Sequence, residues 1–444
     1  MQIFQQILFI VLLVGAGFLF SKKAKEIYRN IKLGKPEDRT DQPNIRFKNM
    51  MILAFGQKKM FKRIIPAILH LFVYIGFVII NVEMLEIVLD GILGTHRLFA
   101  PSLGNIYPYL INIFEFLAFS VLVSCAIFLI RRNILKLYRL NQSELNGWPK
   151  SDANYILITE IVLMTLLLTM NAVDTELQRQ GSEHYTQTGS SFLISQFITP
   201  IFYGWNEATL IIIERVCWWL HIVGILAFLN YLPYSKHLHI LLAFPNAYFA
   251  RLKPNGEVLN MPAIQNEVLY MMEPDKAPTD MPADAEPPRF GAKDVQDLSW
   301  KSLLDAYSCT ECGRCTSMCP ANITGKILSP RNIMMKTRDR LEEVGKNIDA
   351  NNGTFVEDGK SLLHDYITTE ELRACTSCNA CVEACPVLIN PLDIILELRR
   401  NLIMEESNAP QEWNMMFTNI ENNMAPWKFS PDDRDKWVEE LQAN

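Results

Sequence analysis

Cysteines are the residues here most ready for chemistry, and eight of the chain's ten lie between positions 309 and 385 in two copies of one spacing. Cys309, Cys312, Cys315 and Cys319 run C-x2-C-x2-C-x3-C ahead of Pro320, and Cys375, Cys378, Cys381 and Cys385 repeat the run ahead of Pro386. Such spacing wraps three thiolates around one cube of iron and sulfide and sends the fourth to a neighbouring cube. It predicts two 4Fe–4S clusters with crossed ligation: Cys309, Cys312, Cys315 and Cys385 on one, Cys375, Cys378, Cys381 and Cys319 on the other. Structural zinc uses two C-x2-C knuckles and disulfide frameworks belong to small secreted domains, so neither accounts for two full copies with both prolines. Unpaired thiols at this spacing also point to a reducing compartment.

Histidines come second. Of seven, His70 and His221 fall inside apolar segments, and His237 and His239 follow the last of these. An ionisable residue at membrane depth is costly and marks a functional site. Two imidazoles on facing helices would hold a b-type haem by its axial positions. His70 stands about two turns beyond Arg63, at a depth near the His237/His239 end, which puts a haem toward the cytoplasmic side. Glu115 and Glu160, also within apolar segments, read either as proton carriers for a quinone or as helix-packing carboxylates. His96, His184 and His364 read as loop or surface residues, and Cys125 and Cys217 as small buried hydrophobes.

The elements that must position these groups follow from composition. In 444 residues the hydrophobic fraction is 49%, high for a soluble protein. Apolar runs at 3–20 and at about 64–90, 107–130, 154–172 and 206–232 are each near or above the length that crosses roughly 30 Å of hydrocarbon. Residues 21–63 carry thirteen Lys or Arg against four Asp or Glu, and the 131–150 loop is basic, whereas the loops at 91–106 and 173–205 hold one Arg each. By the positive-inside rule the N-terminus is outside and the cysteine-rich part is cytoplasmic, in an inner membrane. Residues 254–296, rich in Pro, Asp, Glu and Ala, read as an extended linker. The expected organisation is a transmembrane haem domain at 1–253, that linker, a dicluster domain at 297–404, and a docking or disordered tail at 405–444. The fold class is mainly α: a five-helix transmembrane cytochrome b bundle plus a cytoplasmic, helical ferredoxin-like domain.

The stretch from His221 through Pro233, Ser235 and Lys236 to His239 resembles the last helix of the respiratory nitrate reductase gamma subunit and of the membrane cytochromes b of heterodisulfide-reductase-like complexes. The resemblance implies that His70 and His239 ligate the cytoplasm-proximal haem and that His221 serves a second, distal one. The family's distal partner would stand ten residues beyond His70, where this chain has Ile80; Met84 is another candidate. The soluble half is similar to the paired-cluster module of heterodisulfide reductase and anaerobic glycerol-3-phosphate dehydrogenase, and SPRNIMMKTRDR and NMAPWKFSPDDRDKW resemble segments that lead into a cysteine-rich catalytic region in fused relatives.

No cysteine follows Cys385, and there is no dinucleotide fingerprint, P-loop or nucleophile elbow. Nor is there a basic patch interleaved with aromatics of the kind that binds nucleic acid. The reading is an electron-transfer subunit of a quinone-linked oxidoreductase complex, passing electrons between the quinone pool, haem b and two 4Fe–4S clusters to or from a cytoplasmic CCG-type or flavin-containing catalytic subunit. The alternative is a redox-sensing or complex-assembling membrane anchor.

Overall fold

Apolar length decides the first half of the structure, a computed structural model that describes residues 2–185, 192–278, 289–428 and 430–443. Five helical stretches are long and apolar enough to cross a membrane: Ile3–Lys32, Ile64–Leu93, Phe99–Ile134, Trp148–Gln180 and Glu207–Tyr234. Their helices are α1 (Gln2–Lys32), α2 (Ile64–Leu93), α3 (Tyr107–Leu129), α4 (Trp148–Gln180) and α5 (Glu207–Tyr231). Among the described residues no strand forms; only isolated bridges occur, one pairing Lys35 with Ser299.

These helices outrun the apolar segments that forecast them. α4 begins at Trp148 and continues to Gln180, well outside 154–172. The reason is that its polar residues find tertiary partners: Asp152 accepts from Ser235 Oγ at 2.6 Å, and Asn171 and Asp174 accept from the Arg97 guanidinium at 2.6 and 3.1 Å. Satisfied in this way, they need not end the helix. α5 starts on Asn206, whose side chain accepts from Thr209 N. It packs close to α4, because a Cβ on Gly224 would come within 2.8 Å of Leu163 Cδ2.

The C-terminal half is built around one apolar cluster that includes Leu303, Tyr307, Val344, Ile395 and Leu398. Its helices are α6 (His239–Tyr248), α7 (Pro262–Met272), α8 (Trp300–Ser308), α9 (Pro330–Ala350), α10 (Thr369–Ala374) and α11 (Pro391–Arg400). α8 and α9 open on Ser299 and Ser329, and α10 on a capping box of Thr368 and Glu371. Ile27 and Ile31, one turn apart on α1, lie in the same cluster, and Asn30 Nδ2 donates to Tyr307 Oη at 2.9 Å. The first membrane helix therefore runs on as part of the soluble core, where each buried isoleucine contributes about 1.5–3 kcal/mol.

The segment expected to be an extended linker contains the helix α7, none of whose residues is buried, and ends in Ala292 and Val295, which are fully buried. Residues 279–288 lie outside the described residues. In the tail, α12 (Gln411–Asn423) and α13 (Lys436–Ala443) bury no residue.

Arg340 on α9 pins this half together. Its side chain is fully buried and donates to Asp294 at 2.7 Å, to Asp358 at 2.6 Å and to the Lys360 carbonyl. Hydrogen bonds from Arg340 hold the Asp358 carboxyl below its usual range. Arg340→Met should destabilise the soluble half by about 3–5 kcal/mol, because two carboxylates lose their cation. The check is the urea midpoint followed by loss of visible iron–sulfur absorbance; a midpoint unchanged from wild type would contradict the assignment.

Candidate redox site

The two cysteine runs share a backbone conformation as well as a spacing. In each, the residues just before and just after the second cysteine are left-handed: Glu311 (φ 55°) and Gly313 (φ 70°) around Cys312, Ser377 (φ 55°) and Asn379 (φ 59°) around Cys378. Two left-handed residues curl a short loop on itself so that its amides and thiols face inward. Ser377 N donates to Cys375 Sγ at 3.4 Å and Ile389 N to Cys385 Sγ at 3.3 Å, the kind of bond that tunes cluster potential.

The fold returns the end of each run to the other. Burial, with the thiols of Cys312 and Cys309 facing it, pushes Cys385 up to about 12. Cys381 is raised to about 12 by burial and by Cys375 and Cys319. Cys315 is raised by burial and by the facing thiols of Cys309, Cys312 and Cys385, and also by Cys381. Thus Cys309, Cys312, Cys315 and Cys385 stand together, and Cys375, Cys378, Cys381 and Cys319 form a second group. Thiols held this high stay protonated until a metal displaces the proton, which is released to solvent. Among the described residues no three His, Cys, Asp or Glu side chains converge on a single ion; a cube takes one thiolate per iron and needs its thiols apart. Cys309, Cys319 and Cys385 are buried, whereas Cys378 is exposed, so the second group opens to the surface.

The first group rests on the membrane half. Arg139 donates to the Cys312 carbonyl at 3.0 Å, Arg314 to the Lys59 carbonyl at 3.3 Å, and Arg63 to Ser317 Oγ at 2.7 Å. Gly313 makes this approach feasible: a Cβ there would come within 2.6 Å of Arg331 Nη1 and 2.9 Å of the Arg139 carbonyl. Glu311 pairs with Lys236 and, at 2.8 Å, with Arg338. Burial works against that carboxylate, but the two cations hold it below its ordinary value. Glu144 is lowered in the same way: burial is outweighed by Ser329 and Arg331. Lys59 and Lys62 both reach Glu383.

Beneath that contact the structure brings His70 and His239 face to face, ring centroids 6.4 Å apart and planes at 44°. Two imidazoles sharing one metal stand roughly 6 Å apart, the sum of two bonds of about 2 Å and two half-rings. Each ring has its Nδ1 tied, His70 to Gln57 Oε1 and His239 to the Lys236 carbonyl, both at 3.1 Å, which leaves Nε2 as the ligating nitrogen. The pair fits an axial haem site. His237 packs instead against Phe228 and the edge of His239. His221 is buried with its Nδ1 donating to the Leu163 carbonyl at 3.0 Å; among the described residues no second imidazole faces it. Ile80 packs in the cluster with Val121, Leu163 and Cys217, and Met84 in the one with Phe9 and Ile222.

The other candidates have these surroundings. Glu115 accepts from Ile194 N at 2.7 Å, Ser195 N at 3.1 Å and Asn171 Nδ2 at 3.2 Å, fastening the segment between α4 and α5 to the bundle. His96 and His184 lie 5.9 Å apart with their planes tilted by 43°, and both line a cavity with Arg97, Asp174 and Trp218 in its wall. His364 pairs with Glu406 at the surface. Sequence reasoning missed Gln57, Glu311 and the junction arginines; Arg63, seven residues before His70, is the one whose position was a signal.

Residues 308–389 match the family model of the 4Fe-4S dicluster domain. Over 98% of its length the chain is 29% identical to the probable iron-sulfur-binding oxidoreductase FadF of Bacillus subtilis and 26% identical to the EtfAB:quinone oxidoreductase of Syntrophomonas wolfei, covering 61% and 60% of those proteins. It thus spans about three-fifths of these relatives. It is 27% identical to one of the subunits of the dihydromethanophenazine:CoB–CoM heterodisulfide reductase of Methanosarcina mazei, over 33% of this chain and 36% of that one. No solved structure matches it. The chain therefore contains a 4Fe–4S dicluster domain joined to five helices with the length and apolarity to cross a membrane.

Proposed function

We propose that the chain is a membrane-anchored electron-transfer subunit linking a quinone pool to a soluble catalytic partner through haem b and two 4Fe–4S clusters. The observation that carries this reading is the His70–His239 pair, with both Nδ1 atoms tied, joined to the first cysteine run through Lys236, whose carbonyl holds His239 and whose ammonium pairs with Glu311. His70 and His239 would hold the haem, Cys309, Cys312, Cys315 and Cys385 the inner cluster, and Cys375, Cys378, Cys381 and Cys319 the outer one. These groups supply one-electron exchange when bound. Leu238, next to His239, belongs to the apolar cluster that also contains Cys309, Cys319 and Cys385, so the protein between the two halves is packed and excludes water. The partner meets the side where Cys378 is exposed. Residues 1–253 form the membrane part and 297–404 the cluster part, on the cytoplasmic side.

The relative named EtfAB:quinone oxidoreductase joins EtfAB to quinone by its name, and that likeness favours a direction from a soluble donor toward quinone. Haem and iron analysis of the purified chain, with reductive titration by a quinol analogue, tests the proposal. One haem and about eight irons per chain are expected, with the haem reduced by the quinol. Two haems would bring His221 into service, and a haem-free chain would sink the relay in favour of an assembly anchor.

A further inference from the structure

Four arginines gather where the membrane half meets the first cysteine run: Arg63 at the start of α2, Arg131 just past α3, Arg139 in the loop that follows, and Arg314 between Cys312 and Cys315. Arg139 feels the positive charges of Arg63, Arg314 and Arg131, and Arg314 feels that of Arg63. Arg314 is only 5% exposed, and the other three are half-buried. Among the described residues none of the four pairs with a carboxylate, although the nearby Arg331 and Arg338 do, with Glu144 and Glu311. Crowded guanidiniums withdrawn from water are costly unless an anion faces them.

Part of that anion is the inner cluster, since the thiols of Cys312 and Cys385 act on Arg314. An oxidised cube with four thiolates carries two negative charges, which leaves two of the four cations unbalanced. The second neighbour is His70, on whose ring Arg314 also acts. Arg63 is the residue on which α2 starts, seven positions and about 10 Å of chain before His70. Arg131 donates no side-chain hydrogen bond among the described residues, so its fork is uncommitted.

We propose that Arg63, Arg131, Arg139 and Arg314 form an anion site that receives the two propionate carboxylates of the haem held by His70 and His239. The inference rests on the haem reading above. Two carboxylates added to the inner cluster balance the four guanidiniums, and Arg314 then faces the surroundings of both electron carriers. The soluble half roofs the site, which favours an anion delivered with the cofactor over a lipid headgroup.

The test uses the full chain produced without haem and loaded with either protohaem or its dimethyl ester, which differs only in having no carboxylate charge. Wild type should hold protohaem about tenfold longer than the ester against an external haem acceptor, the worth of one charge-assisted bond. In Arg63→Gln and Arg131→Gln the ratio should collapse toward one, with cluster spectra unchanged in Arg131→Gln. A wild-type ratio near one, or a ratio untouched in both variants, would overturn the proposal and leave the arginines to the cluster. His70→Ala serves as the separate control: normal haem retention there would refute the haem reading itself.

Discussion

His70→Ala should abolish b-type absorbance while both iron–sulfur signals remain. His70 and His239 stand at a separation that suits a shared metal, and each is oriented by a hydrogen bond at Nδ1. With one of the two rings gone, the remaining imidazole alone would hold the haem, which would then be lost by exchange. The bonds to Nδ1 make the effect specific: Gln57→Leu, which frees the His70 ring without removing it, should weaken retention by about 10- to 100-fold. His237→Ala should retain the haem, because that ring packs against Phe228 and the edge of His239 rather than against His70. The soluble core does not depend on His70, so cluster content serves as the internal control for folding. A normal reduced spectrum in the His70 variant would show that another residue is the ligand.

What the sequence made legible is what is encoded locally. The cysteine runs were readable because ligation by a cube fixes spacing within eleven residues, and the membrane helices because hydrocarbon demands unbroken apolar length. The crossing between runs was readable only through the chemistry of that spacing; the contact of Cys385 with Cys309 and Cys312 is made by the tertiary fold. The full length of α4 could not be read from its apolar segment, because Asp152, Asn171 and Asp174 find their partners, Ser235 and Arg97, only in the fold. The dual life of α1 was hidden for a similar reason. Ile27 and Ile31 sit in a lysine-rich stretch that reads as a cytoplasmic flank, and only their neighbours reveal that they enter the soluble core. The choice of His239 over His237 could not be made from depth, since two residues differ by about 3 Å along a helix; the resemblance selected His239, and the ring geometry sets it opposite His70.

Cys385→Ser should cut the iron content from about eight to about four atoms per chain, and the decisive variant is the double one, Cys309→Ser with Cys385→Ser. If the runs cross, both cysteines serve the inner cluster, and the double variant loses no more iron than either single one. If each run holds its own cube, the two losses add and the chain is left nearly free of iron. Crossing is expected because Cys385 is buried beside Cys309 and Cys312, whereas Cys381 faces Cys375 and Cys319. The same logic separates the functions of the two clusters. The inner group is joined to the membrane half by Arg139 and Lys236 and, from the cysteine run itself, by Arg314, so its loss should stop electron passage between haem and any soluble partner. Cys319→Ser removes the outer group instead, and should leave the inner cluster reducible through the haem while closing the exit at Cys378. Additive loss of iron in the double variant would refute the crossing, and with it the order in which the carriers are strung between membrane and partner.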